Sequence, residues 1–483
     1  MSSTSKPYPL YVDLDGTLIR SDLLLESFLA LIKHNLLYIF LIPLWLLQGK
    51  AKFKHQLASR VKLRADLLPY NQELLEYLRA QKSRGRELIL ISASNERLVK
   101  AVAEHLGIFS RAIGSDQTRN LSGKRKLKEI QTKDDYFSYA GDSKVDLAVW
   151  EYSDSAIPVN ASSSTRKSLD TLTTIEAEFR DSKTKWRRYL SALRLHQWLK
   201  NALVFLPLAL AHQVTNIELL MQAALAFLCF GLCASSVYVL NDLLDLDSDR
   251  QHRSKHRRAF AAGDIPILHG LLISPALLIC AFSLASILPR AFIAVLTFYY
   301  LCTGLYSFFL KRVVLVDVIM LATLYTIRII SGAAAISVIP SFWLLAFSMF
   351  LFFSLAVVKR YTELDYLRNA GISQSQGRGY YAQDLRMMAN FGTISAFLSV
   401  MVFALYINSV ETRTQYATPE VLWLICPLLL YMVSRIWLLA ARGEIEEDPV
   451  VFALQDRVSQ ILTLMSGALL WLATIDWLSI IRS

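Results

Sequence analysis

From Lys200 onward the chain is dominated by long apolar runs separated by short polar breaks. Crossing the roughly 30 Å hydrocarbon core of a bilayer takes about 20 apolar residues as a helix. Hydrocarbon admits only helices or closed barrels, because it offers no partner to an unpaired backbone N–H or C=O. The runs lie at roughly 200–213, 218–240, 266–288, 290–310, 313–335, 342–358, 390–410, 419–440 and 458–481. Nine membrane spans are therefore expected, the first of them short. Residues 1–190 instead mix charged and apolar residues as a soluble domain does. The chain average of 54% hydrophobic and 19% charged residues conceals this division.

The basic excess follows the spans. Lys183, Lys185, Arg187, Arg188 and Arg194 precede the first, and Arg250, Arg253, Lys255, Arg257 and Arg258 follow the second. Lys311 and Arg312, then Lys359, Arg360, Arg368 and Arg378, then Arg435, Arg442 and Arg457 fall in later loops on that side. The opposite loops hold chiefly Arg290 and Arg413. Cytoplasmic loops collect Lys and Arg, so the N-terminal half and the basic loops are expected on the cytoplasmic side of the inner membrane. The net charge of +11 then reads as membrane sidedness, not as a nucleic-acid footprint. The polar stretch Met1–Pro9 runs straight into a strand and does not read as a cleavable signal. All five cysteines lie in apolar runs with no C-x-x-C pair, which speaks against a zinc site or a disulfide frame.

In the first half, short apolar runs alternate with helical patterns. A short strand ending in a Gly turn is expected over Leu10–Thr17, and further strands at Glu87–Ser92, Tyr136–Ala140 and Ala156–Asn160, with a helix at Glu96–Leu106. This alternation predicts an α/β fold with a parallel sheet. Residues 22–80 are helical in pattern. Within them, Leu36–Leu47 is apolar, broken by Pro43, and too short to span; it reads either as a buried helix or as a segment lying in the membrane interface. Residues 161–190 are a polar, basic linker or surface helix.

Acidic and hydroxyl residues gather at the expected strand ends. Asp13-x-Asp15-Gly16-Thr17 offers one carboxylate as nucleophile and metal ligand and another as proton donor. Ser92 ends the second apolar run. Asn120-Leu121-Ser122-Gly123-Lys124-Arg125-Lys126 offers a lysine for a phosphoryl group, and Gly141-Asp142-Ser143-x-x-Asp146 adds carboxylates suited to Mg²⁺. These four pieces, in this order over about residues 9–160, resemble the haloacid-dehalogenase superfamily of phosphatases. The resemblance implies a Rossmann-like domain with a helical cap at about 20–80. It further implies Asp13 as nucleophile, Asp15 as general acid/base, and Ser92 and Lys126 on the phosphate, with Lys124 and Lys128 competing for the lysine role. Mg²⁺ would be held by Asp142 and Asp146 together with Asp13 and Asp15.

The second constellation is Asn241-Asp242-x-x-Asp245-x-x-x-Asp249 at the end of the second span. On a continuous helix the three acids share one face, where they would repel without a cation such as Mg²⁺ bridging a diphosphate. Arg250, Lys255 and Arg258 suit phosphate oxygens. His252 and His256 lack a third nitrogen or sulfur ligand for zinc. The aspartate pattern and the nine spans resemble the UbiA superfamily of intramembrane prenyltransferases. The resemblance is greatest to its decaprenyl-phosphate phosphoribosyltransferase branch, through Arg194-x-x-Gln197-Trp198-x-Lys200-Asn201, Asp249-Arg250-x-His252-x-x-Lys255-x-x-Arg258, Tyr306-Ser307-x-x-Leu310-Lys311, Asp317-Val318 with Arg328, and Lys359-Arg360-x-x-Glu363-Leu364. Arg253 and Ala259 stand where that branch usually has Pro. Aromatic prenyltransferases of the superfamily usually carry a second D-x-x-x-D after span six, where this chain has Lys359-Arg360-Tyr361-Thr362-Glu363-Leu364-Asp365.

The resemblance implies transfer of phosphoribose from 5-phosphoribosyl diphosphate to a polyprenyl phosphate. Asp242 and Asp245 would be catalytic and, with Asp249, hold Mg²⁺. Asn241, Arg250, Lys255, Arg258, Lys311, Arg194 and Lys200 would line the substrates, and Lys359 and Arg360 would receive the lipid phosphate. Asp317 and Arg328, about three turns apart on one helix face, are expected to face a polar cavity. The expected division is a phosphatase domain at 1–165, a linker at 166–190 and a membrane domain at 191–483. The fused phosphatase would remove the 5-phosphate of the lipid product. Two other readings remain: an aromatic prenyltransferase with an independent phosphatase, and a transporter or lipid carrier without turnover. Oligomerisation is compatible with all three.

Overall fold

The computed structural model describes residues 8–62, 64–181, 185–252, 255–374, 378–445 and 448–475. Lys183, Arg253 and positions 476–481 of the expected last span lie outside the described residues. The chain packs as two compact units, one made of residues up to Leu193 with Tyr238–Pro275, the other of Arg194–Val237 with Ala276 onward. The segment Tyr238–Pro275, which the expected boundary at 191 assigns to the membrane half, thus packs with the N-terminal unit.

The first unit is built on six strands, β1 Leu10–Val12, β2 Leu88–Asn95, β3 Arg111–Ser115, β4 Ser138–Gly141, β5 Ser155–Pro158 and β6 Thr174–Ile175. They form one parallel sheet in the order β3-β2-β1-β4-β5-β6. The central strands read as continuous apolar runs because both faces are covered. Leu10, Val12, Leu88 and Leu90 pack on one side with Leu74, Leu75 and Leu78 of the helix Gln72–Ser83. Tyr11, Ile89, Ile91 and Tyr139 pack on the other with Leu127, Ile130 and Trp150. Since Gln72–Ser83 belongs to this sheet core, the cap is shorter than the expected 20–80. It comprises the helix Leu23–His34, a tight turn Leu36–Phe40, and the helices Ile42–Leu47 and Lys50–Arg60. Asp22 starts the cap by accepting the amides of Leu24 and Leu25, and Leu31, Trp45 and Leu57 form its small core.

Among the described residues, seven helices are long and apolar enough to cross a membrane: Ile217–Leu244, Ile267–Ala285, Arg290–Phe308, Val316–Ala335, Phe342–Asn369, Ala382–Ile407 and Pro419–Ala441. Nine are not seen. The expected first span is instead a 3₁₀ stretch Leu195–Phe205 followed by the short helix Leu206–Leu210. Pro207 at the start of that helix and the buried Lys200 and Asn201 explain why it does not form one long apolar helix. The 3₁₀ stretch lies so close to Val316–Ala335 that a Cβ at Gly332 would sit 2.0 Å from the Val204 carbonyl oxygen. The described part of the last span, Arg457–Leu472, is shorter than a full crossing. Ile279, Leu301 and Leu464 are more than half exposed on these helices, which water would disfavour and lipid accepts. The chain is an integral membrane protein.

Candidate active sites

The carboxyl ends of β1, β2 and β4 meet where the chain order of the parallel sheet reverses, the usual place for a ligand in such a fold. Asp13 follows β1 directly, and its Oδ1 accepts the Leu14 amide at 2.8 Å. Lys126 Nζ lies 2.8 Å from Asp13 Oδ2 and 3.7 Å from Asp146 Oδ1. It also donates to the Tyr139 hydroxyl, which in turn donates to Asp146. Asp146 Oδ2 accepts from the backbone and hydroxyl of Ser143 and, at 3.3 Å, from the Asp142 amide. Of the three competing lysines, Lys126 is buried in this network, whereas Lys124 and Lys128 are exposed. Gly16, at φ +76°, permits the turn after Asp15; a Cβ there would lie 2.5 Å from Asp142 Oδ2.

Ligand atoms of Asp13, Asp142 and Asp146 all lie within 4.8 Å of one another. Asp15 stands apart from this trio. Its carboxylate accepts the Leu23 amide at 2.8 Å and the Ser92 and Ser94 hydroxyls at 3.0 and 2.6 Å. Ser92, expected on a phosphate, is thus turned to Asp15. Two contributors escaped the sequence reading. Ser94 lies two residues beyond the strand end expected from the apolar run. Lys54 comes from the cap helix Lys50–Arg60 and donates to the Ala93 carbonyl at 2.6 Å and to Asn120 Oδ1 at 3.0 Å.

Burial pushes the Asp13 carboxyl up to about 7, against the pull of Lys126 and with the push of Asp146. Burial, then Asp146 and Asp13, push Asp142 up to about 8. Three clustered carboxylates, two buried and Asp142 half-buried, with one ammonium lack counter-charge, and an all-oxygen donor set suits a hard divalent cation. The residues therefore fit Mg²⁺. A carboxyl raised in the folded state stabilises fully below its unfolded pKa near 4 and loses that contribution as pH climbs through its folded value. In EDTA the unit is expected to melt lower at pH 8.5 than at pH 5.5, and Mg²⁺ is expected to shrink the difference to the smaller share of Asp22, which desolvation and Asp15 push up to about 6. Glu176, held down at about 2 against its burial by Arg86 and Tyr77, has already ionised across that window and adds no slope. Thermal unfolding at the two pH values reads this directly, and a metal-independent flat profile contradicts it.

The second aspartate constellation also lies in the first unit, and its geometry departs from a single helix face. The helix Ile217–Leu244 ends before Asp245, and a short helix Leu246–Gln251 begins after it. Asp242 and Asp249, both buried, converge on Arg258 Nη1 at 3.2 and 2.7 Å. Asp245 meets Lys33 of the cap at 3.0 Å. Protein cations thus meet the repulsion that a shared metal was expected to relieve, and among the described residues these acids do not form a second close trio. Arg250, expected on phosphate, closes its fork on Glu26 of the cap at 2.7 and 3.0 Å and donates to the Ala261 carbonyl. Asn241 and Lys255 flank this loop, half-buried.

The second unit holds a separate charged centre. Asp448 Oδ2 takes both Lys200 Nζ and Lys359 Nζ at 2.8 Å, and its Oδ1 accepts the Tyr325 hydroxyl at 2.9 Å. Against the cost of burial, the two lysines hold Asp448 far below the usual carboxylate range. Asp448 is the residue here that sequence reasoning missed. Asp317 and Arg328 have separate partners. Asp317 takes Arg360 Nε at 2.5 Å and the Tyr380 hydroxyl, and Arg360 also reaches Glu363 at 2.7 Å. Arg328 donates to Asn201 and to the Leu324 carbonyl. Arg360, expected on the lipid phosphate, is therefore spent on carboxylates and almost fully buried. Lys311 lies half-buried in the single turn Leu310–Arg312, and Arg194 starts the 3₁₀ stretch with φ at 51°.

Residues 202–455 match the UbiA prenyltransferase family, and residues 10–151 match haloacid dehalogenase-like hydrolases. An uncharacterized protein of Sinorhizobium fredii is 36% identical over 459 residues, 93% of this chain and 88% of that one. Its alignment is longer than either half, so both halves are shared. Nodulation protein NoeC of Azorhizobium caulinodans is 32% identical over 57% of this chain and 89% of its own length. The decaprenyl-phosphate phosphoribosyltransferase of Mycobacterium tuberculosis is 29% identical over 59% of this chain and 92% of its own.

Proposed function

Because the chain belongs to the UbiA prenyltransferase family and carries a haloacid dehalogenase-like domain in fusion, we propose that it makes and then dephosphorylates a lipid-linked sugar phosphate. The transferase half moves phosphoribose from 5-phosphoribosyl diphosphate to a polyprenyl phosphate such as decaprenyl phosphate. The phosphatase half removes the 5-phosphate. Both act with Mg²⁺ on the cytoplasmic side of the inner membrane.

The observation that carries the transferase reading is the pair Lys200 and Lys359 on the single carboxylate of Asp448. Two ammonium groups on one carboxylate leave positive charge for a phosphate monoester acceptor. The similarity to a decaprenyl-phosphate phosphoribosyltransferase over nearly that protein's whole length points the same way. An acceptor phosphate oxygen attacks the anomeric carbon, the C–O bond to it forms, and the bond to diphosphate breaks. Asp242, Asp245 and Asp249 would hold Mg²⁺, which offsets charge on the departing diphosphate. Arg258 and Lys33, which pair with those aspartates, would turn to phosphate oxygens, and Lys255 would add to them.

In the phosphatase half, Asp13 attacks phosphorus and the ribosyl oxygen leaves, taking a proton from Asp15. Water then opens the aspartyl phosphate, and Asp15 takes its proton back. Lys126 steadies the Asp13 anion, and Lys54 lies at the cap side of the site. Asp13, Asp142 and Asp146 would hold Mg²⁺, which neutralises the phosphoryl oxygens.

The test is turnover of the whole chain in liposomes with Mg²⁺, decaprenyl phosphate and ribose-labelled 5-phosphoribosyl diphosphate. Labelled lipid together with free phosphate is expected. Prenylation of an aromatic acid from a prenyl diphosphate, with no labelled lipid, overturns the reading.

A further inference from the structure

The cap bears an apolar surface that its own core does not use. Trp45 turns inward, but Leu37, Phe40 and Leu47 are 67%, 76% and 85% exposed, and Ile39, Leu44 and Leu46 are exposed beside them. These side chains come from the turn Leu36–Phe40 and the helix Ile42–Leu47, which together are too short to cross a bilayer. Such density of large exposed apolar side chains marks a binding surface.

We propose that the segment Leu36–Leu47 is seated in the interfacial layer of the bilayer that the chain itself spans, with anionic lipid headgroups around it. Charge selects this occupant. Between Glu26 and Asp66 the chain has no acidic residue, while Lys33, Lys50, Lys52, Lys54, Arg60, Lys62 and Arg64 are all basic. Lys50 and Lys52, just past the apolar segment, are exposed. An apolar face ringed by lysines is the pattern of an interfacial segment on anionic lipid.

Position selects it independently. The apolar segment begins three residues after Lys33, whose ammonium lies 3.0 Å from Asp245. Asp245 follows immediately on a membrane-crossing helix, so it marks the border between lipid and water. Leu29, one turn before Lys33, is buried in one cluster with Val239 and Leu243 at the end of that helix and with Ile267 at the start of the next. The cap helix is thus held against the ends of two membrane-crossing helices and delivers the apolar segment at that level. The next helix carries Lys54 into the phosphatase site, so seating the segment sets that site at the headgroup layer.

The experiment uses the full chain in nanodiscs, with its five cysteines replaced and an NBD fluorophore attached at Phe40→Cys. Leu44→Cys serves as a second position and exposed Glu151→Cys as the control, with circular dichroism to confirm folding. In nanodiscs containing phosphatidylglycerol, emission from positions 40 and 44 is expected to be blue-shifted. Headgroup-proximal spin-labelled lipid should quench it several-fold more than at position 151. Water-like emission at 40 and 44 overturns the proposal. So does a blue shift without lipid quenching, which would place a second copy or another protein on the face. Equal quenching in purely zwitterionic nanodiscs overturns its electrostatic part.

Discussion

Replacing Asp13 with Asn is expected to lower phosphomonoester hydrolysis by about 10³-fold or more while phosphoribosyl transfer continues. The amide keeps the shape of the carboxylate but has no anionic oxygen to attack phosphorus. The fold should tolerate the change. Asp13 is one of three crowded carboxylates, and removing its charge relieves repulsion with Asp146. Lys126 keeps the Tyr139 hydroxyl at 2.7 Å and gains the undivided attraction of Asp146. The lost rate is therefore chemical. Its signature in the coupled assay is specific: labelled lipid still forms, but retains its 5-phosphate and accumulates. Hydrolysis of p-nitrophenyl phosphate gives the independent readout. Turnover within tenfold of the parent would move the nucleophile away from Asp13.

The parts of this molecule that could be read from sequence share a physical cause. In a parallel sheet the interior strands are short apolar runs and the chemistry begins where each run stops. Asp13, Ser92 and Asp142 stand out because an acid or hydroxyl follows buried residues. The edge strands Arg111–Ser115 and Thr174–Ile175 carry no such run. Each pairs with only one neighbour, and they are too polar or too short to stand out. Seven apolar runs became long helices because hydrophobicity over 18 or more residues leaves a chain few alternatives in lipid. The run at 200–213 failed because Lys200 and Asn201 at its start are anchored to Asp448 and Arg328.

Long-range pairing was the least legible. Asp448 sits among Glu444, Glu446 and Glu447 before Pro449, a context that signals only a solvated loop and a helix start. Nothing local says that its carboxylate collects lysines 248 and 89 residues away along the chain. Asp317 and Arg328, read as helix-face neighbours, each found a partner elsewhere. The same holds for Glu26 and Lys33, which in sequence are ordinary charges of a cap helix. In the folded unit they take Arg250 and Asp245, so the cap of one enzyme half touches the aspartate loop of the other.

That contact frames the second large effect. Asp249→Asn is expected to lower phosphoribosyl transfer by about 10²-fold or more, with hydrolysis of p-nitrophenyl phosphate unchanged. Asp249 is 3% exposed and 2.7 Å from Arg258, which Asp242 also approaches. On the proposed reading, the loop without Asp249 loses one of the three carboxylates that would hold Mg²⁺, and Arg258 is left to Asp242 alone. A ligand role and a loop-holding role then predict different kinetics. Loss of a ligand raises the Mg²⁺ concentration needed for half-maximal transfer, and Arg258→Lys, which keeps a cation on both acids, leaves that requirement near the parent's. Loss of loop structure instead lowers the melting temperature of both variants together without moving the Mg²⁺ dependence. Because the aspartate loop packs in one unit with the haloacid dehalogenase-like domain, such collapse would also depress hydrolysis. Intact hydrolysis beside failed transfer is the outcome that assigns Asp249 to the transferase chemistry, and joint failure assigns it to the scaffold.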